Sequence, residues 1–135
     1  MKTLNRILLA TFFAALIFLT GCEKTEPDIN ASARDKFIGT WDGQSSGTGG
    51  PRNFSLIITA SSSDPDQILM DNFDGGTGIV SATVSGNSFS IPSQMVSGET
   101  VQGSGSFSSA TLSFSFTIDD GQGVENRTGS ANNKH

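Results

Sequence analysis

The sequence predicts an all-β domain, an eight-stranded antiparallel up-and-down β-barrel. Three observations predict it. Several windows alternate strictly between apolar and polar residues, and none carries an apolar stripe of 3.6-residue period. Turns rich in Gly, Asn, Asp and Ser separate these windows at short intervals. Every connection is short enough for an antiparallel neighbour and too short for a βαβ crossover. Eight strands closing on themselves remove both sheet edges. A two-sheet β-sandwich is the alternative that alternation alone leaves open.

The chain opens with Lys2 and Arg6 ahead of an apolar run over residues 7–19, interrupted only by Thr11. That run suits a signal-peptide h-region and is too short for a spanning helix, which needs about 20 apolar residues. Leu19-Thr20-Gly21-Cys22 follows, and Cys22 is the only cysteine. The stretch resembles the lipobox of bacterial lipoproteins. The resemblance implies a signal peptide over 1–21, cleaved before Cys22. It also implies that Cys22 carries a diacylglyceryl thioether and an N-acyl chain such as palmitate. One acyl chain alone holds a protein marginally, at about 0.8 kcal/mol per buried CH2, whereas several hold it stably. Residues 22–36 are polar, contain Pro27 and read as the lipidated cysteine followed by a flexible tether. Glu23 stands where an Asp would resemble an inner-membrane retention signal, so an outer-membrane lipid anchor is expected. The acidic cluster Glu23, Glu26 and Asp28 loosely resembles the surface-export signal of Bacteroidota lipoproteins. The domain would then face either the periplasm or the cell surface. A short helical turn near residues 31–36 is placed to plug one end of the barrel.

The folded domain is expected over 37–135, with strands at about 37–44, 52–59, 67–73, 78–85, 88–92, 99–107, 110–118 and 124–132. The clearest is the seventh, where Leu112, Phe114, Phe116 and Ile118 fall on one face and Thr111, Ser113, Ser115 and Thr117 on the other. Phe54, Leu56 and Ile58 form the inner face of the second strand; Val80, Ala82 and Val84 that of the fourth; Phe89 and Ile91 that of the fifth. Gly86-Asn87 reads as a two-residue hairpin turn whose residues tolerate positive φ. Ser97-Gly98 and Ser108-Ser109 mark two further turns, and residues 119–123 a looser loop.

Charge and composition exclude several functions. Removing 21 of 135 residues leaves 114. Losing Lys2 and Arg6 from eight basic side chains leaves six against 13 acidic, a net charge of −7. With no basic cluster, nucleic acid is not an expected partner, nor is an anionic lipid surface. With Cys22 lipidated the domain has no free thiol, and its one histidine is the terminal His135. Catalysis by a Cys or His, and zinc held by them, are therefore not expected. No cofactor, no metal and a monomeric state are anticipated.

Phe37-Ile38-Gly39-Thr40-Trp41 opens the first strand. Gly-x-Trp in that place resembles the lipocalin signature within the wider calycin barrels. Ile91-Pro92-Ser93-Gln94, Gly103-Ser104-Gly105 and residues 112–119 are similar to small lipocalin-like lipoproteins of the Bacteroidota. Together these stretches cover residues 37–132. The resemblance implies that Gly39 and Trp41 are structural signature residues at the closed end, with an Arg of the last strand over the Trp. Arg127 is the residue here that takes that role, with a cation–π contact of about 0.5–2 kcal/mol. Departures from the family are the short strands and the lack of a disulfide.

No catalytic residue is assigned. Asp119-Asp120 and Asp64-Pro65-Asp66 lie in turns that favour Asp for its own backbone bonds. Residues 71–76 look like a calcium loop, but aligning Gly75 with the turn glycine puts Met70 and Ser81 at the end ligand positions. Asn126-Arg127-Thr128 matches a glycosylation pattern of no consequence in a bacterial lipoprotein. Gly103 and Gly105, on the face of Val101 and Phe107, relieve crowding or bend a strand. The expected function is non-enzymatic binding of a small apolar or amphipathic ligand in the barrel. The alternative is a cell-surface module contacting protein or glycan through strand faces or loops. An interior filled by Phe54, Phe89, Phe114 and Phe116 would weigh against the first.

Overall fold

A computed structural model describes residues 33–134. The expected signal peptide over 1–21, the expected lipidation at Cys22, the first part of the expected tether and His135 lie outside the described residues. The chain forms β1 (Gly39–Ser46), β2 (Arg52–Ala60), β3 (Gln67–Asp71), β4 (Ile79–Ser85), β5 (Ser88–Val96), β6 (Glu99–Ser108), β7 (Thr111–Asp119) and β8 (Val124–Asn133). Each strand pairs antiparallel with the next, and β8 returns to β1 with Trp41 opposite Asn133. The barrel is therefore closed, and the sandwich alternative is ruled out.

The predicted alternation sets what points inward. Leu56, Ile58, Ile68, Met70, Ala82 and Leu112 are buried against the rings of Phe54, Phe89, Phe114 and Phe116. Outward Ile57 is 43% exposed between Leu56 and Ile58 at 1% each, the signature of a strand with one face in the core. Four rings fill the middle of the barrel, and each lies against a glycine on a neighbouring strand. Phe54 is paired with Gly43, Phe89 with Gly105, Phe116 with Gly103 and Phe114 with Gly129. A Cβ at Gly43 would stand 2.4 Å from the Phe54 ring, and one at Gly105 2.2 Å from the Phe89 ring. The glycines relieve crowding, as the sequence suggests for Gly103 and Gly105.

One end is closed by residues ahead of β1. Residues 33–35 make the expected helical turn, so the chain is folded onto the barrel before residue 37. Arg34 Nη1 donates to the carbonyls of Ser61 and Asp64, at 3.1 and 3.0 Å, tying the turn to the β2–β3 loop. Phe37 is fully buried and meets Phe89 and Phe107 edge-on, with centroids 5.8 and 6.0 Å apart. Trp41 packs edge-on against Phe107, and its Nε1 donates to the Phe37 carbonyl at 2.9 Å.

Three differences from the expected strands have local causes. β3 stops at Asp71 because Asn72 turns left-handed (φ 58°), sending Phe73–Gly75 into a 3-10 turn. β5 runs on past Pro92, which lacks an N–H, because a register shift between Ile91 and Gln94 absorbs it. The β6–β7 turn is Ser109-Ala110, one position later than read, with both residues at positive φ.

Replacing Gly43 with Ala is expected to cost about 1–3 kcal/mol by overpacking, measured by chemical denaturation. Adding Phe54→Leu should recover part of that loss, because only the Phe54 ring stands in the way. Gly103→Ala should resist such rescue, because a Cβ there also meets the Ser115 carbonyl oxygen at 2.4 Å.

Candidate functional site

The second end of the barrel, the mouth, gathers the polar groups. It begins with β8, whose inner face reads Arg127, Gly129, Ala131. Arg127 is 1% exposed, so its charge must be met inside the protein. Its Nε lies 3.3 and 3.1 Å from the two carboxylate oxygens of Asp74. Nη1 donates to Glu125 at 2.7 Å, and Nη2 donates to Ser45 Oγ at 2.9 Å and to the Gly50 carbonyl at 3.0 Å. Ser45 Oγ in turn donates to Asp74. Arg52 Nη1, on a half-exposed side chain, reaches the other Asp74 oxygen at 2.6 Å. One buried carboxylate thus joins β1, β2, β8 and the β3–β4 link.

The β3–β4 link, residues 72–78, crosses the mouth as a strap. Asp74 sits at φ 56°, a conformation costly for a residue with a Cβ, and its ion pairs hold it there. Next to it Phe73 turns into the barrel, 4.7 Å from the Phe116 ring and 5.5 Å from the Phe114 ring. Phe73 therefore stoppers the barrel while Asp74 locks the strap. The calcium-loop likeness of 71–76 ends here, because the Asp74 carboxylate is taken by two guanidinium groups. Among the described residues, no group of three or more His, Cys, Asp or Glu is placed to hold a metal ion.

Beside the strap the barrel wall parts. β4 pairs with β5 only from Thr83–Ser90 to Ser85–Ser88, although β4 begins at Ile79. Across the gap the Gln94 side-chain amide stands in for a strand peptide. It donates to the Ser81 carbonyl at 2.8 Å and accepts from the Ser81 N–H at 2.9 Å. Nearer the rim, Ser97 Oγ donates to the Thr77 carbonyl. The opening leads into a cavity of about 630 Å³. Phe73, Val80, Val96, Val101 and Ile118 form its apolar wall, with Arg52, Thr77, Ser97 and Glu99 among its polar groups.

The signature residues lie at the opposite end. Gly39 and Trp41 belong to the closed end. Arg127 does not lie over Trp41. Trp41 is level with Asn133, six residues along β8 from Arg127, or about 20 Å at about 3.3 Å per residue. The correction follows from β8 being antiparallel to β1: its early residues meet the end of β1, not its start. Trp41 is held by Phe37 and Phe107, and Arg127 by Asp74. Asp119 and Asp120 accept from their own loop amides, Gly121 and Gln122, as turn aspartates do.

Phe73, Asp74 and Gln94 were not singled out as site residues from sequence. Two signals point to Asp74 and Phe73, and none to Gln94. Arg127 is a charge at an inward position of β8, which requires a buried acid. Phe73 falls on the outward parity of β3 just before Asp-Gly-Gly, a mismatch relieved when the chain leaves the strand.

Comparison with known protein families returns no match, and comparison with curated proteins returns none.

Arg127→Ala should destabilise the fold by about 3–5 kcal/mol, because it strands the Asp74 charge in the interior. Arg52→Ala, at the solvent edge of the same carboxylate, should cost about 1 kcal/mol or less; denaturant titration separates the two. Glu125 accepts from the Gly49 N–H at 2.7 Å and then from Arg127, which together lower its pKa below the ordinary 4.5. A lowered folded-state pKa stabilises the fold above the ordinary value and loses that contribution as pH falls through the folded-state value. The stability gap between wild type and Glu125→Gln should therefore be full at neutral pH and close on acidification through that range.

Proposed function

We propose that this chain is a lipid-anchored envelope protein that binds a small amphipathic ligand at the mouth of its barrel without transforming it. The observation that carries the reading is the half-open cavity of about 630 Å³, with an apolar wall and a polar rim. Its size falls in the usual range for small-molecule sites, roughly 300–1,000 Å³. The middle of the barrel is filled by phenylalanine rings, which weighs against the expected ligand inside the barrel and leaves the rim as the proposed site. A kinship with lipocalin-like lipoproteins of the Bacteroidota is supported by the closed eight-stranded barrel and by Gly39 and Trp41 at the closed end. The position of Arg127 counts against a close kinship.

The anchor is part of the proposal and rests on Leu19-Thr20-Gly21-Cys22. The described chain starts at the closed end, so a tether from Cys22 would hold the mouth away from the membrane. An outer-membrane location follows from Glu23 in the position after the cysteine. The domain then acts as a monomer on whatever compartment that membrane faces.

Two measurements test this reading. The neutral dye Nile red should brighten on binding the full chain. Val96→Trp, which fills the cavity, should weaken that binding about tenfold or more, a loss of about 1.4 kcal/mol. Ser115→Trp, on the outer face of β7, should leave it unchanged; equal binding by all three proteins would refute the site. For the anchor, Cys22→Ser should abolish palmitate labelling in cells and release the protein from the membrane fraction. Continued labelling would refute lipidation at Cys22.

A further inference from the structure

The rim of the cavity carries three ionic side chains, Arg52, Asp74 and Glu99. Two are already spent. Asp74 takes both Arg52 and Arg127, and Arg127 also takes Glu125. Those four charges, two of each sign, cancel within one network. Glu99 remains, exposed at the start of β6, with no salt bridge among the described residues. Its surroundings add to its sign. Thr100, beside it, pairs with Asp119 of β7, so Asp119 and Asp120 lie at the same end of the barrel. Their carboxylates bind only loop amides, which leaves both charges uncompensated. Asp71 adds another at the foot of the strap, exposed on the outer face. The mouth is therefore a pocket of mixed polar and apolar lining under a negative potential, with one free carboxylate on its lining. Such a field draws cations and repels anions of equal shape.

We infer that the ligand class of this mouth is a cationic amphipath: a short apolar body bearing an ammonium group that sets against Glu99. The inference rests on the reading of the mouth as a binding site and adds the sign of the head group. The apolar body lies against the partly exposed Val96 and Ile118, and the head group stays at the rim, where its desolvation is slight. An exposed pair of this kind is weak, so the selectivity is modest and sensitive to salt.

The test uses three probes sharing an eight-carbon tail: octyltrimethylammonium, octanoate and octanol. Each is titrated calorimetrically, below its micelle concentration, into the full chain held in zwitterionic nanodiscs, with empty nanodiscs as the blank. Octyltrimethylammonium should bind about threefold to fivefold tighter than octanoate at low ionic strength, as expected of an exposed charge contact. The ratio should fall toward one in high salt. Glu99→Gln should shrink the ratio and leave octanol affinity unchanged. Octanol binding with equal or stronger octanoate binding would overturn the cation preference and leave the mouth standing as a site. Failure of all three probes to bind would overturn both. A cation preference that Glu99→Gln leaves intact would overturn the role given to Glu99.

Discussion

An eight-stranded barrel encloses a space only about as wide as the side chains that fill it. Here four phenylalanine rings, each laid across a glycine of an adjacent strand, take up that space. The arrangement is mutual. A Cβ at Gly43, Gly105 or Gly129 would collide with a ring, and one at Gly103 with the Ser115 carbonyl and the Phe116 backbone and Cβ. Without the rings the glycines would leave voids whose walls lose dispersion contacts. Close packing of this kind leaves the barrel axis no room for a guest. Any site must lie where the strands end.

The two ends solve different problems. At the closed end the chain ahead of β1 folds over the opening, and the buried Trp41 N–H is met by the Phe37 carbonyl. At the other end the strap brings a carboxylate into the interior, and a buried charge is tolerable only when paired and hydrogen-bonded. Arg127, Arg52 and Ser45 supply those partners. The parted β4–β5 seam has a similar logic: Pro92 disturbs the register, and the Gln94 amide satisfies the Ser81 backbone groups that β5 no longer reaches. The mouth is the by-product of these two local accommodations.

This polarity suits the tethered binder proposed above. The end where the described chain begins is sealed, and the other end combines partly apolar walls, a negative field and a carboxylate with no salt bridge among the described residues. The outer faces of β6, β7 and β8 present mainly Ser, Thr, Asn and Gln, a neutral solvated surface with little to recognise. The chemical character of the domain is thus concentrated at one rim, and within that rim in Glu99 and the apolar wall.

The sequence by itself determined eight antiparallel strands in meander order and left barrel and sandwich open; the pairing of β8 with β1 closed the barrel. Alternation in β2, β4 and β7 chose the inner face, since a period of two admits only one buried side, and short turns forced each strand beside the next. The sequence also put the phenylalanines, Gly103 and Gly105 on inward parity; that the rings fill the interior, and the part of Gly43 and Gly129, came from the structure. Tertiary structure alone decided the site. Arg127 finds Asp74 across 53 positions of chain, a partnership that no local pattern encodes. The same long-range register put Arg127 far from Trp41, although both lie on adjacent strands. Pairing across the closed seam depends on where β8 begins relative to β1, and strand periodicity carries no record of that offset. The cavity, too, lies between the strap and the stretch where β4 and β5 no longer pair, a juxtaposition that exists only in three dimensions.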